Sequence, residues 1–298
     1  MINTFRKFAG MMLFRRPAAA GLILLLTAFA AMAQPARQLH GLTVELVLDQ
    51  KIYVADEDMN VKVRIINRSG ETLSLGQGDE WVKFTIRGDN DTEVARTGDL
   101  SAAGPFTLES GMMATRAFNP APYFDIRHPG RYKLYAAIQV PRWHESLDCK
   151  PVPFIVVEGT PVLGVAPIDF GLPPPPGSPN ALPETRRYSL AEVSYEEEMR
   201  LYFRLSDGSG RTLRCYPAGR LLSFSAPETQ IDKFNNLHLL WQTGAKDFTY
   251  EVFMPDGNLL LRETHVYTDK RPRLSTNENG NIIVAGGVRR FSPQDIPK

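Results

Sequence analysis

Five histidines offer the chain its first chance at chemistry, and they stand singly, at His40, His128, His144, His238 and His265, without the short spacings that set two ligands on one face of a helix or strand. His238 and His265 fall on strands expected in the second half, so the two could meet across a sheet. Each reads first as a hydrogen-bonded or solvent-facing sheet residue, ahead of a metal ligand or general base. No Gly-x-Ser-x-Gly, His-Glu-x-x-His, P-loop or Gly-x-Gly-x-x-Gly run occurs. Glu196-Glu197-Glu198 precedes a strand and reads as a solvated edge, because a working carboxylate pair needs a fixed separation. No catalytic residue, metal ligand or cofactor is therefore assigned. The binding candidates are Trp143 and His144 in "VPRWHESLD", a polar loop after a strand, where such rings stack on a sugar or anchor a protein contact. The competing and favoured reading folds Trp143 back over the end of the sheets.

The elements that must hold these residues are strands. The segment opening at Leu42 sets Leu42, Val44, Leu46 and Leu48 on one face and Thr43, Glu45 and Asp49 on the other. Val61, Val63 and Ile65 then alternate with Lys62 and Arg64 before an Asn67-Arg68-Ser69-Gly70 turn. Val82, Phe84 and Ile86 make a further strand, "HPGRYKLYAAIQV" another, and "PVPFIVVEG" closes the half. About seven short strands without helical periodicity predict an antiparallel sandwich over residues 40–158. Cys149 and Cys215 are too few for a disulfide framework; export would let them pair, and spacing alone leaves pairing and two buried thiols both open.

The address is written ahead of these strands. Arg6, Lys7, Arg15 and Arg16 precede an apolar stretch that ends Ala31-Met32-Ala33, so residues 1–33 read as a signal peptide cleaved before Gln34. Cleavage carries the formal charge from +1 to −3, which gives no support to a nucleic-acid partner. No later segment is long and apolar enough to span a bilayer. The expected location is periplasmic or extracellular.

Tyr53, Glu57 and Val61, spaced Tyr-x-x-x-Glu-x-x-x-Val, and the Ile-Ile-Asn-Arg-Ser-Gly turn resemble bacterial immunoglobulin-like domains. "PGRYKL" resembles the penultimate strand of that class, which includes proteinase-inhibitor-like and macroglobulin-like domains. The resemblance implies an Ig-like β-sandwich; it transfers no inhibitory activity to any residue, because the shared positions encode turns.

Residues 159–185 are rich in proline, four of them consecutive at Pro173 to Pro176, and read as a stiff linker. Strands resume over residues 186–290, with hairpin chemistry at Asp207-Gly208-Ser209-Gly210 and Pro255-Asp256-Gly257-Asn258. There "NNLHLLWQTG" is echoed forty-five residues later by "NGNIIVAGGV", so that Asp232 falls on Asn277, Asn236 on Asn281, Leu237 on Ile282 and Leu239 on Val284. "D-x-x-N-N-L-H-L-L-W…F-M-P-D-G" resembles a β-propeller blade. Room exists for only about two and a half units where a closed propeller takes at least about four, so a small open sheet or sandwich is preferred over closure by assembly. Leu237, Leu239 and Trp241, or the opposite set, are expected inside; if the two echoed units are equivalent it is Leu237 and Leu239, and replacing His238, on the opposite phase, is expected to cost little. Residues 291–298 read as a C-terminal tail. The whole predicts an all-β, exported, non-enzymatic binding or adaptor protein of the cell envelope, taking a protein or carbohydrate. The alternative is a secreted hydrolase or proteinase-inhibitor-like protein with a site assembled from both halves.

Overall fold

The computed structural model describes residues 38–296 except 79, 101–103, 175–182 and 223–224. The signal peptide read from residues 1–33 lies outside the described residues. In the first half the alternating segments form β1 (Gln38–Leu39), β2 (Leu42–Leu48), β3 (Ile52–Val54), β4 (Val61–Asn67), β5 (Leu73–Leu75), β6 (Val82–Gly88), β7 (Phe106–Leu108), β8 (Met113–Phe118), β9 (Gly130–Val140), β10 (Glu145–Asp148) and β11 (Val152–Val157). One sheet runs β1-β2-β4-β8; the other runs β10-β9-β11-β3, with β6 on β9. All pairs are antiparallel save the short parallel pair of β3 with β11. The core between them is what the alternation dictates. Val61, Val63 and Ile65 of β4 are fully buried against Phe84, Ile86, Leu134 and Ile138, while Lys62 and Arg64 face solvent.

The second half forms β12 (Thr160–Pro161), β13 (Ile168–Leu172), β14 (Glu184–Tyr195), β15 (Glu198–Asp207), β16 (Thr212–Leu221), β17 (Glu228–Ile231), β18 (Leu237–Gln242), β19 (Asp247–Phe253), β20 (Leu259–Val266), β21 (Arg273–Thr276), β22 (Ile282–Ala285) and β23 (Val288–Arg290). They make a sheet β12-β14-β15-β16 with β13 on β14, a sheet β17-β18-β19-β20-β23, and the hairpin β21-β22. These small antiparallel sheets lie face on face in a blade-like arrangement. Leu237, Leu239, Trp241 and Phe253 of the middle sheet pack on Leu201, Phe203 and Leu205 of the first. Phe203 and Phe253 stack with ring centroids 4.0 Å apart. The opposite face of the middle sheet, through Leu240, Phe248, Tyr250 and Val252, packs on Leu274, Ile282 and Val284 of the hairpin.

Two flanking stretches join the sheets. Within the Pro-rich stretch, β12 and β13 both pair with β14. Ile168, Phe170 and Leu172 alternate there as a strand requires, and buried Phe170 stacks on Tyr188 at 4.4 Å. Pro173 and Pro174 follow that strand, where proline costs no ladder bond. The C-terminal tail is tied back, with Ile296 and Arg262 exchanging backbone hydrogen bonds of 3.1 Å and Thr264 donating to Asp295. Val54 and Val157 of the first half also share a small core with Ala191, Val193, Tyr202 and Cys215 of the second. Cys149 and Cys215 are both free and buried, and burial pushes each thiol up to about 12.

Candidate functional site

A repeated turn positions the site. Asp232 Oδ1 accepts the backbone N–H of Phe234 and of Asn236, both at 2.8 Å, and Asn235 takes the left-handed conformation at φ 63°. At Asn277 the same oxygen accepts from Asn279 and Asn281, both at 3.0 Å, with Gly280 at φ 76°. Asp207 does likewise for Ser209 and Arg211 at 3.0 Å, with Gly210 at φ 87°. Each turn joins two antiparallel strands, and in β18 and β22 the residues that follow keep one phase. Leu237 and Leu239 face the sheet before them in the chain; Ile282 and Val284 face the sheet before theirs.

His238 departs from expectation. It lies on the phase where replacement is expected to cost little, yet it is buried, because the hairpin β21-β22 covers that face. The register explains its company. His238, Tyr250 and Glu263 with His265 lie on one face of β18, β19 and β20, and Tyr250 sits diagonally from both histidines, within reach for aromatic side chains. His238 Nδ1 lies 2.6 Å from the Tyr250 hydroxyl and His238 Nε2 lies 3.3 Å from Asp232 Oδ2. The Tyr250 and His265 rings meet edge to face at 6.2 Å. His265 Nε2 is 3.2 Å from Glu263 Oε2, and Arg289 holds the other Glu263 oxygen at 3.0 Å. This row borders a cavity of about 300 Å³ between middle sheet and hairpin, walled on its apolar side by Val252, Leu260, Leu261 and β22.

Protonation in the row follows from these contacts. Burial, with Glu263 and Asp232 nearby, raises the Tyr250 phenol well above its ordinary value, so it keeps its proton. Burial works against the Asp232 carboxylate as well. Hydrogen bonds from Asn236, the Phe234 N–H and His238 outweigh it and hold Asp232 below the usual range. A carboxylate only accepts, so His238 carries a proton on Nε2 and donates it to Asp232, with Nδ1 at hydrogen-bond distance from the Tyr250 hydroxyl. The order carboxylate, imidazole, hydroxyl invites comparison with a nucleophile relay, but stabilising the protonated phenol is the reverse of activating it. The row holds the phenol in place as a hydrogen-bonding group on the polar wall of the cavity. Among the described residues no group of three or more His, Cys, Asp or Glu is placed to hold a metal ion.

The loop residues expected to bind sit elsewhere. Trp143 ends the one-turn 3-10 helix Pro141–Trp143, half-buried against the first-half core, with its ring centroid 4.9 Å from that of His40. His144, left-handed at φ 52°, is exposed beside it. The row joins His238 to His265 through Tyr250, and neither to Trp143. Glu196 and Glu197 are exposed, and Glu198 pairs with Arg200 and Arg220. Tyr250, Glu263 and the covering hairpin escape sequence reasoning. The one signal in reach was the forty-five-residue echo, which marks Asp232 and makes β21-β22 a counterpart of β17-β18.

A second cavity, of about 450 Å³, lies where the two halves meet, lined by Asp56, Glu57, Asp58, Asp125, Arg127 and Arg214 among others. Burial pushes the Glu57 carboxyl up to about 7. Its two oxygens are committed to the fold, one to the Val54 N–H at 2.8 Å and one to the Gln50 amide at 2.5 Å, and Arg200 fixes that amide by donating to its oxygen at 3.2 Å. This carboxyl builds the junction, so the cavity beside the histidine row is the stronger candidate.

No protein-family model matches the chain, and no curated protein is significantly similar to it. Among solved structures, the sporulation control protein Spo0M from Bacillus subtilis aligns with 55% of this chain and 79% of its own at 10% identity and a TM-score of 0.27. A likeness at that level does not define a shared fold.

Proposed function

We propose that the chain is an exported, non-enzymatic binding protein of the cell envelope, in which an immunoglobulin-like module carries a blade-like module with a ligand cavity between its second and third layers. The cavity carries the reading: about 300 Å³, with one wall of aliphatic side chains from Val252, Leu260, Leu261 and β22 and the other of polar groups, several fixed by hydrogen bonds, a combination that suits a small polar-and-apolar molecule. The ligand has an apolar body and one or two hydrogen-bonding groups for Tyr250 and His265. A small protein side chain or a sugar with an apolar face meets that description. The strand order β2-β4-β8 against β11-β9-β6 supports the Ig-like assignment, and the basic-then-apolar start of the sequence supports export to the periplasm or beyond.

The test is native mass spectrometry of the chain recovered from envelope extract, beside the variant Val284→Trp, whose indole fills the cavity. The expected result is a small bound mass on the unaltered chain and none on the variant. A chain that carries no ligand, or a variant that carries the same one, would contradict the reading.

A further inference from the structure

The two cavities differ in the charge they present. At the junction of the halves, Asp56, Asp58 and Asp125 are matched by Arg127, Arg211 and Arg214 in the same lining. The cavity beside the histidine row carries the carboxylates of Asp232 and Glu263 and no lysine or arginine. Arg289 reaches Glu263 Oε1 at 3.0 Å without lining the cavity itself. An anion placed there would meet two carboxylates and no base. Both carboxylates also help to raise the Tyr250 phenol, so their field extends along the polar wall.

The hydrogen bonds of the wall distinguish the two carboxylates. Asp232 is saturated, with two donors on each oxygen: the Phe234 and Asn236 backbone N–H groups on Oδ1, and Asn236 Nδ2 at 2.9 Å with His238 Nε2 at 3.3 Å on Oδ2. Glu263 receives one donor on each oxygen, Arg289 on Oε1 and His265 on Oε2. A carboxylate has about four acceptor positions, so Glu263 keeps about two of them open. Its side chain is 17% exposed, and the cavity reaches solvent beside Ile283, which lines it and is 40% exposed. Asn236, His238 and His265 each spend a proton on the wall's own carboxylates, and Asn236 Oδ1 has no partner among the described residues. What the wall leaves for a ligand is chiefly acceptor capacity and negative charge.

Resting on the reading of this cavity as a ligand site, we propose that it binds an alkylammonium ion, with the positive head on Glu263 and the alkyl chain against Val252, Leu261 and Val284. An ammonium group carries donors alone, so it uses the open acceptors of the wall and asks for no donor in return. Its hydrogen bonds to a carboxylate are charge-assisted, the stronger kind. Head and chain match the polar and the aliphatic wall respectively. A carboxylate or phosphate ligand brings no donor and adds a third negative charge, and a neutral hydroxyl gains nothing from the charge of Glu263. The same chemistry comes in two forms, a free alkylamine or a lysine side chain presented by another protein.

The test is an NMR titration of the chain at neutral pH with hexylammonium, 1-hexanol and hexanoate, probes of one length that differ in the head group. Hexylammonium is expected to bind saturably and at least about tenfold tighter than 1-hexanol, with hexanoate weaker than either. Glu263→Gln, which keeps the shape of the side chain and removes its charge, should bring hexylammonium down to the level of 1-hexanol. Near-ultraviolet circular dichroism identical to the unaltered chain serves as the folding control, and the three probes on the unaltered chain decide the question if the variant does not fold. Nα-acetyl-lysine N-methylamide, titrated alongside, separates the two forms: it binds tighter than hexylammonium if a lysine side chain is the occupant and more weakly if a free amine is. Binding of 1-hexanol or hexanoate as tight as that of hexylammonium overturns the ammonium and leaves the cavity a ligand site, as does a folded Glu263→Gln chain that keeps its full affinity. No binding by any probe also overturns it, and the mass carried by the chain from envelope extract then decides separately whether the cavity holds a ligand of another kind.

Discussion

Two strands of similar chemistry end in different surroundings. Along β4 burial alternates, with Val61, Val63 and Ile65 inside and Lys62 and Arg64 outside. Along β18 all six residues are buried, His238 and Gln242 included. Strand β4 belongs to a sheet with one face on the core and the other in water, so its period of two translates directly into inside and outside. Strand β18 lies in the middle of three layers. There the same period only decides which neighbour a side chain meets: the first sheet for Leu237, Leu239 and Trp241, the hairpin for His238 and Leu240. A polar residue on a middle-layer strand must find partners within the protein, and His238 finds Tyr250 and Asp232.

That contrast can be broken by mutation. The largest effect is expected from Leu239→Ala, which removes a fully buried side chain between two sheets and should cost about 2–5 kcal/mol in denaturant unfolding. A loss under about 1 kcal/mol would mean that the two sheets are not closely packed there. Next comes the pair His238→Ala and Arg64→Ala, each on the strand phase opposite to the residues expected inside. His238→Ala leaves Tyr250 and Asp232 each short of a partner in a buried place and should cost about 1–3 kcal/mol. Arg64→Ala, at an exposed site with a Glu45 contact of 3.7 Å, should change stability by no more than about 0.5 kcal/mol. Equal effects at the two sites would erase the distinction between the layers.

A further effect is read by pH at the junction of the two halves. Glu57 is raised from 4.5 to about 7, with burial the largest cause. Between those values the folded chain holds a proton that the unfolded chain has lost, so stability falls as pH rises through the window and levels off above it. Glu251, raised by burial against the opposing Arg262, acts in the same direction from the second half. Glu57→Gln cannot ionise and should flatten the fall in unfolding free energy between about pH 5 and 7 by about 2 kcal/mol. An unchanged pH profile would remove Glu57 from the account of the junction.

Much of the architecture was legible because it follows from local chemistry. Alternation gave the strands, and Asp-Gly and Asn-Gly runs gave the turns. The Asn236 and Asn281 echo named two turns that share one hydrogen-bond pattern. Chain order guides pairing through most of the second half, but not in the first, where β2 pairs with β4, β4 with β8 and β3 with β11. The Pro-rich stretch hides β13 because proline content masks the alternation of Ile168, Phe170 and Leu172. The site was half legible. His238 and His265 were expected to be able to meet across a sheet, but Tyr250 between them and the hairpin above them are products of sheet stacking, which no local pattern encodes.

The hairpin buries His238 on the second face of β18, and Asp232 and Tyr250 fix it there at the wall of the cavity. Long-range proton–nitrogen NMR of the imidazoles reads this directly. The expected result for His238 at neutral pH is a proton held on Nε2, with a slowly exchanging Nε2–H that becomes fast-exchanging in Asp232→Ala. An averaged, solvent-exchanging imidazole like that of exposed His144, or a ring protonated at Nδ1 alone, would contradict it.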